Sequence, residues 1–158
     1  MERGVGEDGV DGVRSIAGSG RTLRTRVWAA QAAVFLAGAL GRQEEAIRSF
    51  EEAVRYSGGS PYAIGYLACA YAVAGRRVEA ERQLAALHDR AQHGWVPALS
   101  VAIAHLGLGP VDRVFEWLER AYEERDLWLL WHTYDPIFQT IRSDPRMIDL
   151  LRRLGVPE

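Results

Sequence analysis

With 158 residues, 48% of them apolar, the chain has material for one continuous core. Nineteen basic residues against 21 acidic ones leave a net charge of −2, so the basic footprint that drives nucleic-acid binding is missing. The single Cys69 excludes an internal disulfide and leaves too few thiolates for a zinc cluster, which fits a reducing compartment.

Met1 to Gly20 carries glycines at positions 4, 6, 9, 12, 18 and 20 and no apolar period. Such a stretch buries too little surface to offset the entropy of ordering, so residues 1–21 are expected to form a disordered Gly-rich tail. Arg21, Arg24 and Arg26 then precede Val27–Leu40, an apolar run broken only by Gln31. This order imitates a signal peptide with Ala37-Gly38-Ala39 as its cleavage site, which is the secreted or periplasmic alternative for residues 21–41 to a cytoplasmic location. Against secretion stand the long charged lead-in and the register of the run as the first helix of a repeat. As a membrane span the run is too short, because crossing takes about 20 apolar residues.

From Gly41 onward a ruler runs through the chain. Gly41, Gly75 and Gly109 keep a constant step of 34 residues, and so do the columns Ala46, Ala80, Val114; Phe50, Leu84, Leu118; and Ala53, Leu87, Ala121. A unit of two helices cannot bury its own apolar faces and must stack on copies of itself. In the second unit Ser60 and Pro61 open a helix, Ile64, Leu67, Ala68 and Tyr71 recur on one side of it, and Gly75 ends it in a left-handed turn. The return helix then carries Val78, Ala80, Leu84 and Leu87 inward. The third unit repeats the plan, with an outgoing helix from about Trp95 to Leu106, a break at Gly107 and Gly109, and a return helix from Pro110 through Leu118 and Ala121. The first unit offers Ala30, Ala33, Val34 and Ala37, small residues that let helices approach closely.

Beyond the third unit Leu127–Tyr134 reads as a short helix, halted because a residue before proline leaves the helical region. Asp135-Pro136 and Asp144-Pro145 each pair an N-cap with a proline at the first helical position, so each starts a new helix. The last one, from about Pro145 to Leu154, directs Met147, Ile148, Leu150, Leu151 and Leu154 to the core and Arg146, Arg152 and Arg153 to water. A terminal cap with a polar outer side is what a stacked array needs.

These columns resemble the tetratricopeptide repeat family. The second unit matches its pattern with Leu67, Ala68, Tyr71, Gly75, Ala80, Leu84 and Leu87, and the first with Gly41, Ala46, Phe50 and Ala53. The tryptophan column of the family is filled instead by Ala30, Ile64 and Ala98, and its closing proline column by Gly58 and Gln92. The ending Ile141-Arg142-Ser143-Asp144-Pro145-Arg146-Met147, followed by Leu150 to Gly155, is similar to the close of repeat regions in bacterial winged-helix regulators, Ser/Thr kinases and adenylate cyclases. The resemblance covers roughly Arg26 to Glu158, and nothing in the chain matches their kinase, cyclase or DNA-binding parts. It implies an all-α fold, a right-handed α-solenoid with a repeat domain over 22–126 (three hairpins of about 27–60, 61–94 and 95–128) closed by C-terminal capping helices over 127–158.

The resemblance also implies a role: a non-catalytic scaffold in bacterial signalling, or the detached sensory C-terminal region of a kinase, cyclase or transcription regulator. The concave side of such an array would be lined by Trp28, Gln31, Ala32 and Phe35; by Tyr62, Gly65, Tyr66 and Cys69; and by Val96, Leu99, Ser100 and Ile103. Trp28, Gln31, Phe35, Tyr62, Tyr66, Cys69, Leu99 and Ile103 are the candidate partner-binding residues. The lining is apolar and aromatic and lacks the Lys, Asn and Arg pattern by which some relatives grip a peptide carboxylate, so the expected partner is an apolar or amphipathic protein segment. Self-association through the first unit, around Thr22 to Phe35, is the second expected use of an end without a polar cap.

Residues for chemistry are not assembled. His88, His93, His105 and His132 lack the HExxH spacing, no serine sits in a Gly-x-Ser-x-Gly elbow, and Gly18-Ser19-Gly20-Arg21 is not a phosphate loop. Glu44-Glu45, Glu51-Glu52 and Glu123-Glu124 lie near Arg on expected outer helix faces. No catalytic, metal or cofactor site is therefore expected, and neither nucleic acid nor membrane as a partner.

Overall fold

The computed structural model describes residues 43–156. The Gly-rich tail, the run Val27–Leu40 with its signal-peptide alternative, the outgoing half of the first unit, and Trp28, Gln31 and Phe35 all lie outside the described residues. Among those described the fold is all-α, without a strand. Its elements are α1 (Gln43–Tyr56), α2 (Pro61–Val73), α3 (Arg77–His93), α4 (Ala98–Leu108), α5 (Val111–Glu123), α6 (Leu127–His132), a 3-10 turn (Pro136–Ile141) and α7 (Pro145–Arg153).

Starts and stops follow the expected chemistry with corrections. Pro61 does open α2, but the Ser60 side chain makes no capping bond; the Ser60 N–H instead donates to Ser57 Oγ at 3.0 Å. The helix of the third unit begins at Ala98 rather than Trp95, because Pro97 disfavours helical backbone before it, and it continues through Gly107. Gly75 ends α2 with φ +76°, so that the Arg76 N–H reaches the Tyr71 carbonyl at 2.8 Å. After α5 the Asp126 N–H reaches the Ala121 carbonyl at 3.0 Å in the same way, but the left-handed residue is Arg125 at φ +54°. Both Asp-Pro pairs cap as expected: Asp135 accepts from the Ile137 N–H and Asp144 from the Arg146 N–H, the first opening only a 3-10 turn.

Packing centres on α2, which contacts α1, α3 and α4, while α4 also contacts α3 and α5, and α7 contacts α5. The columns at the 34-residue step are inside. Ala46, Ala80 and Val114 are buried, as are Ala53, Leu87 and Ala121, and as are Phe50 and Leu118, with Leu84 half-buried against them. Helices α2 and α4 run parallel and very close. A Cβ on Gly65 would strike the Ser100 carbonyl oxygen, and one on Gly107 would come within 2.6 Å of Ala72 Cβ. Arg146 of α7 pairs with Asp112 of α5 at 2.7 Å, and Arg153 with Glu119, both across 34 residues.

Candidate interaction surface

The α2 residues singled out in the sequence, Tyr62, Tyr66 and Cys69, recur every three or four positions and so share one helix face, as do Leu99 and Ile103 on α4. Tyr66, Cys69, Leu99 and Ile103 are buried in the core and Tyr62 is half-buried, so four of the five present no surface to a partner in this structure. What covers the tyrosines is the chain's own segment from Asp126 to Asp135. Tyr62 Oη donates to Asp126 Oδ2 at 2.9 Å, and its ring stacks on His132 at 5.7 Å with Trp128 edge-on at 6.5 Å. Tyr66 Oη donates to Asp135 Oδ2 at 2.6 Å and lies 2.8 Å from His132 Nδ1, while its ring stacks on Phe50 at 5.5 Å.

Proton counting fixes the rest of this clasp. Tyr66 has one proton and gives it to Asp135, so the contact with His132 requires the imidazole to carry hydrogen on Nδ1 and donate to the phenol oxygen. The other Asp135 oxygen accepts from the Ile137 N–H at 3.1 Å. Burial first, and then the Asp135 charge, pushes the Tyr66 phenol far above its ordinary range; burial followed by the bond to Asp126 does the same for Tyr62. Burial and Asp135 push the Cys69 thiol up to about 12, which keeps it neutral and unreactive at ordinary pH. The seam is a set of closed, mutually satisfied polar groups that ties α2 to α6.

The opposite side of α6 is different. Leu127, Leu130, Trp131 and Tyr134 are 84%, 42%, 73% and 57% exposed. Leu127, Leu130 and Trp131, at i, i+3 and i+4, share one outward side of the helix, and Tyr134 follows in the turn just past its end. The inward side of the same segment holds Leu129 and Thr133, both buried, with the Thr133 carbonyl accepting from Arg142 Nη1 at 2.9 Å. The reading of Leu127–Tyr134 as a short helix in a C-terminal cap does not reveal this second apolar face. The signal was present, since Leu127–His132 contains no Asp, Glu, Lys or Arg and a helix apolar all round has more than one side to cover.

The remaining titratable residues stay dispersed. His88 tilts against Trp117 at 5.8 Å, His93 Nδ1 sits 3.0 Å from the Asp89 carbonyl oxygen, and partial burial, then His88, holds His105 below its ordinary value. Among the described residues no group of three or more His, Cys, Asp and Glu side chains converges as metal ligands do, and no helix is long and apolar enough to cross a membrane. Compared with family models, with curated protein sequences and with solved structures, the chain gives no match in any of the three. The surface is therefore read from its own chemistry.

Proposed function

We propose that this chain is a non-catalytic protein-interaction module, a right-handed α-solenoid of tetratricopeptide-like hairpins with a helical cap, which docks an apolar or amphipathic segment of another protein. The observation that carries the reading is the like burial of Ala46, Ala80 and Val114, of Ala53, Leu87 and Ala121, and of Phe50 and Leu118 at one step of 34 residues. The parallel approach of α2 and α4 at Gly65 and Gly107, and the two 34-residue ion pairs between α5 and α7, support the same stacking. Hairpins repeated at that interval make extended surfaces for docking.

The docking surface in this reading is the outward stripe of α6. A ligand on the inner face would have to displace the segment Asp126–Asp135 and break its hydrogen bonds to Tyr62 and Tyr66 before gaining any contact. The stripe needs no displacement, and its helical spacing matches how an amphipathic partner helix is read. Four side chains offer roughly a few hundred Å². That is short of the about 800 Å² per partner typical of stable complexes, so the contact belongs to the transient class. The test immobilises the full chain and compares wild type with a Leu127→Ser/Trp131→Ser variant of unchanged helical circular dichroism and melting. Loss of a protein held by the wild type supports the reading; equal recovery on both removes it.

A further inference from the structure

We infer that the C-terminal arm of this chain, residues 126–156 with α6, the 3-10 turn and α7, exchanges between two copies, so that the arm of one closes on α2 and α5 of the other in a twofold dimer. The hinge is where the fold holds strain. α5 ends at Glu123 and α6 begins at Leu127, which leaves only Glu124, Arg125 and Asp126 to reverse the chain. The reversal puts Arg125 at φ +54°, the only positive φ outside glycine among the described residues. It is closed by the Arg125 and Asp126 N–H groups, which donate to the Tyr122 and Ala121 carbonyls at 3.0 Å. The equivalent turn after α2 uses Gly75, which takes the left-handed conformation without crowding from a Cβ. A short connection under strain favours exchange, because a chain that runs straight on into a second copy releases the strain and remakes the other contacts there.

The contacts that hold the arm decide which occupant it meets. Leu129, Phe138, Met147 and Leu150 of the arm are buried in one cluster with Tyr66 and Leu118. Around that cluster Asp126 accepts from Tyr62, Asp135 accepts from Tyr66, and Arg146 pairs with Asp112 while lying 4.1 Å over the Phe115 ring. Each of these joins the arm to α2 or α5 and is made equally well from a second copy. A different protein would have to present carboxylates at the places of Asp126 and Asp135 and an imidazole at that of His132; a second copy presents all three in register. Area points the same way. Phe138 alone buries about 150–250 Å², and with the other buried side chains of the arm the exchanged surface approaches the about 800 Å² per partner of a stable complex. The outward stripe of α6 falls short of that figure, so contact between two stripes would not make a stable pair.

The experiment uses the full chain with photoreactive benzoylphenylalanine in place of Trp128, which stands edge-on to Tyr62 of α2 at 6.5 Å. Equal amounts of heavy-isotope-labelled and unlabelled chain are unfolded together in urea, refolded at high concentration, separated by size, irradiated and mapped by mass spectrometry. The expected result is a dimer in which the links from position 128 to α2 join heavy to light chains as often as statistics allow, beside a monomer in which the same links stay within one chain. Arg125→Gly, which relaxes the hinge in the closed chain, is expected to raise the dimer dissociation constant about tenfold, since each dimer has two hinges. Leu127→Ser/Trp131→Ser leaves hinge and clasp in place and is expected to dimerise as wild type does. A chain that stays monomeric at every concentration, or a dimer whose links to α2 stay within one chain, overturns the inference, and so does a dimer that Arg125→Gly leaves unchanged or that the stripe variant loses. The wild-type map decides even if a variant misfolds.

Discussion

The return helices α1, α3 and α5 and the short helix α6 solve the same problem in opposite ways. Each return helix has one apolar side against the core and one charged side toward water, where pairs such as Arg77–Glu81 and Arg120–Glu124 form at helical spacing. α6 has apolar residues toward the core and toward solvent alike, and no Asp, Glu, Lys or Arg of its own. A helix with one set of neighbours writes a single 3.6-residue stripe. α6 therefore leaves one of its two apolar sides to water in the described fold.

The sharpest way to break this comparison is to truncate one residue from each region. Leu118→Ala removes a fully buried side chain of a repeat column and is expected to lower stability by about 2–5 kcal/mol. Trp131→Ser removes a larger side chain from the open stripe and is expected to change stability by no more than about 0.5 kcal/mol in the described fold. Urea denaturation of both variants measures the contrast. A cost for Trp131→Ser near that of Leu118→Ala would show the stripe to be part of the core.

Much of the helical pattern was legible because burial keeps step with the sequence spacing. Ala46, Ala80 and Val114 stand 34 residues apart and all three are buried, as one period predicts. The prolines and aspartates at 135–136 and 144–145 were legible for a local reason, since capping and ring geometry need no tertiary partner. The candidate surface was less so. Tyr66, Leu99 and Ile103 were expected on an inner face, but whether such a face is open depends on what folds back over it. The fold-back rests on single contacts, Tyr62 to Asp126 and Tyr66 to Asp135, across 64 and 69 residues, which no period records. Gly107 was read as a break, yet it lets two parallel helices touch.

The clasp between α2 and α6 gives the next largest expected effects. Tyr66→Phe leaves the Asp135 carboxylate and the His132 N–H without their shared partner in a buried place, at an expected cost of about 1–3 kcal/mol. Tyr62→Phe removes one bond from a half-buried pair and is expected to cost about 0.5–1.5 kcal/mol. Thermal and urea unfolding that reversed this order would mean that the Tyr66 network does not hold the segment down.

A smaller effect distinguishes pH responses of the two regions. His105 of α4 has its folded value below the ordinary 6.5, through partial burial and then the neighbouring His88 and Arg113. The unfolded chain therefore takes up that proton first, so the His105 contribution is complete above pH 6.5 and declines as pH falls below it. Asp144, held low by Arg146, and Glu79, held low by its own backbone N–H and then by the Arg76 side chain, lose their contributions further down, below their ordinary 3.8 and 4.5. His105→Gln is expected to flatten the upper part of the stability curve and leave the lower part in place. Melting temperatures from pH 7.5 down to about 5, around the ordinary histidine range, check it.

The smallest expected effect has the opposite sign and lies at the join of the two regions. α2 and α5 end in the same left-handed turn, with Gly75 serving the first and Arg125 the second. A residue with a Cβ is strained there by roughly 1–2 kcal/mol, whereas glycine adopts the conformation freely but loses more entropy on folding. Arg125→Gly is therefore expected to stabilise the chain by up to about 1 kcal/mol, the strain relieved less the entropy of about 0.4–1 kcal/mol that glycine adds to the unfolded state. Gly75→Ala, at the equivalent turn where nothing lies within 4 Å of an added Cβ, isolates the backbone term with the reverse sign. If Arg125→Gly instead destabilised while Gly75→Ala did so as well, the Arg125 side chain would be holding α6 onto α5, and the boundary between repeat and cap would begin one residue earlier than its backbone suggests.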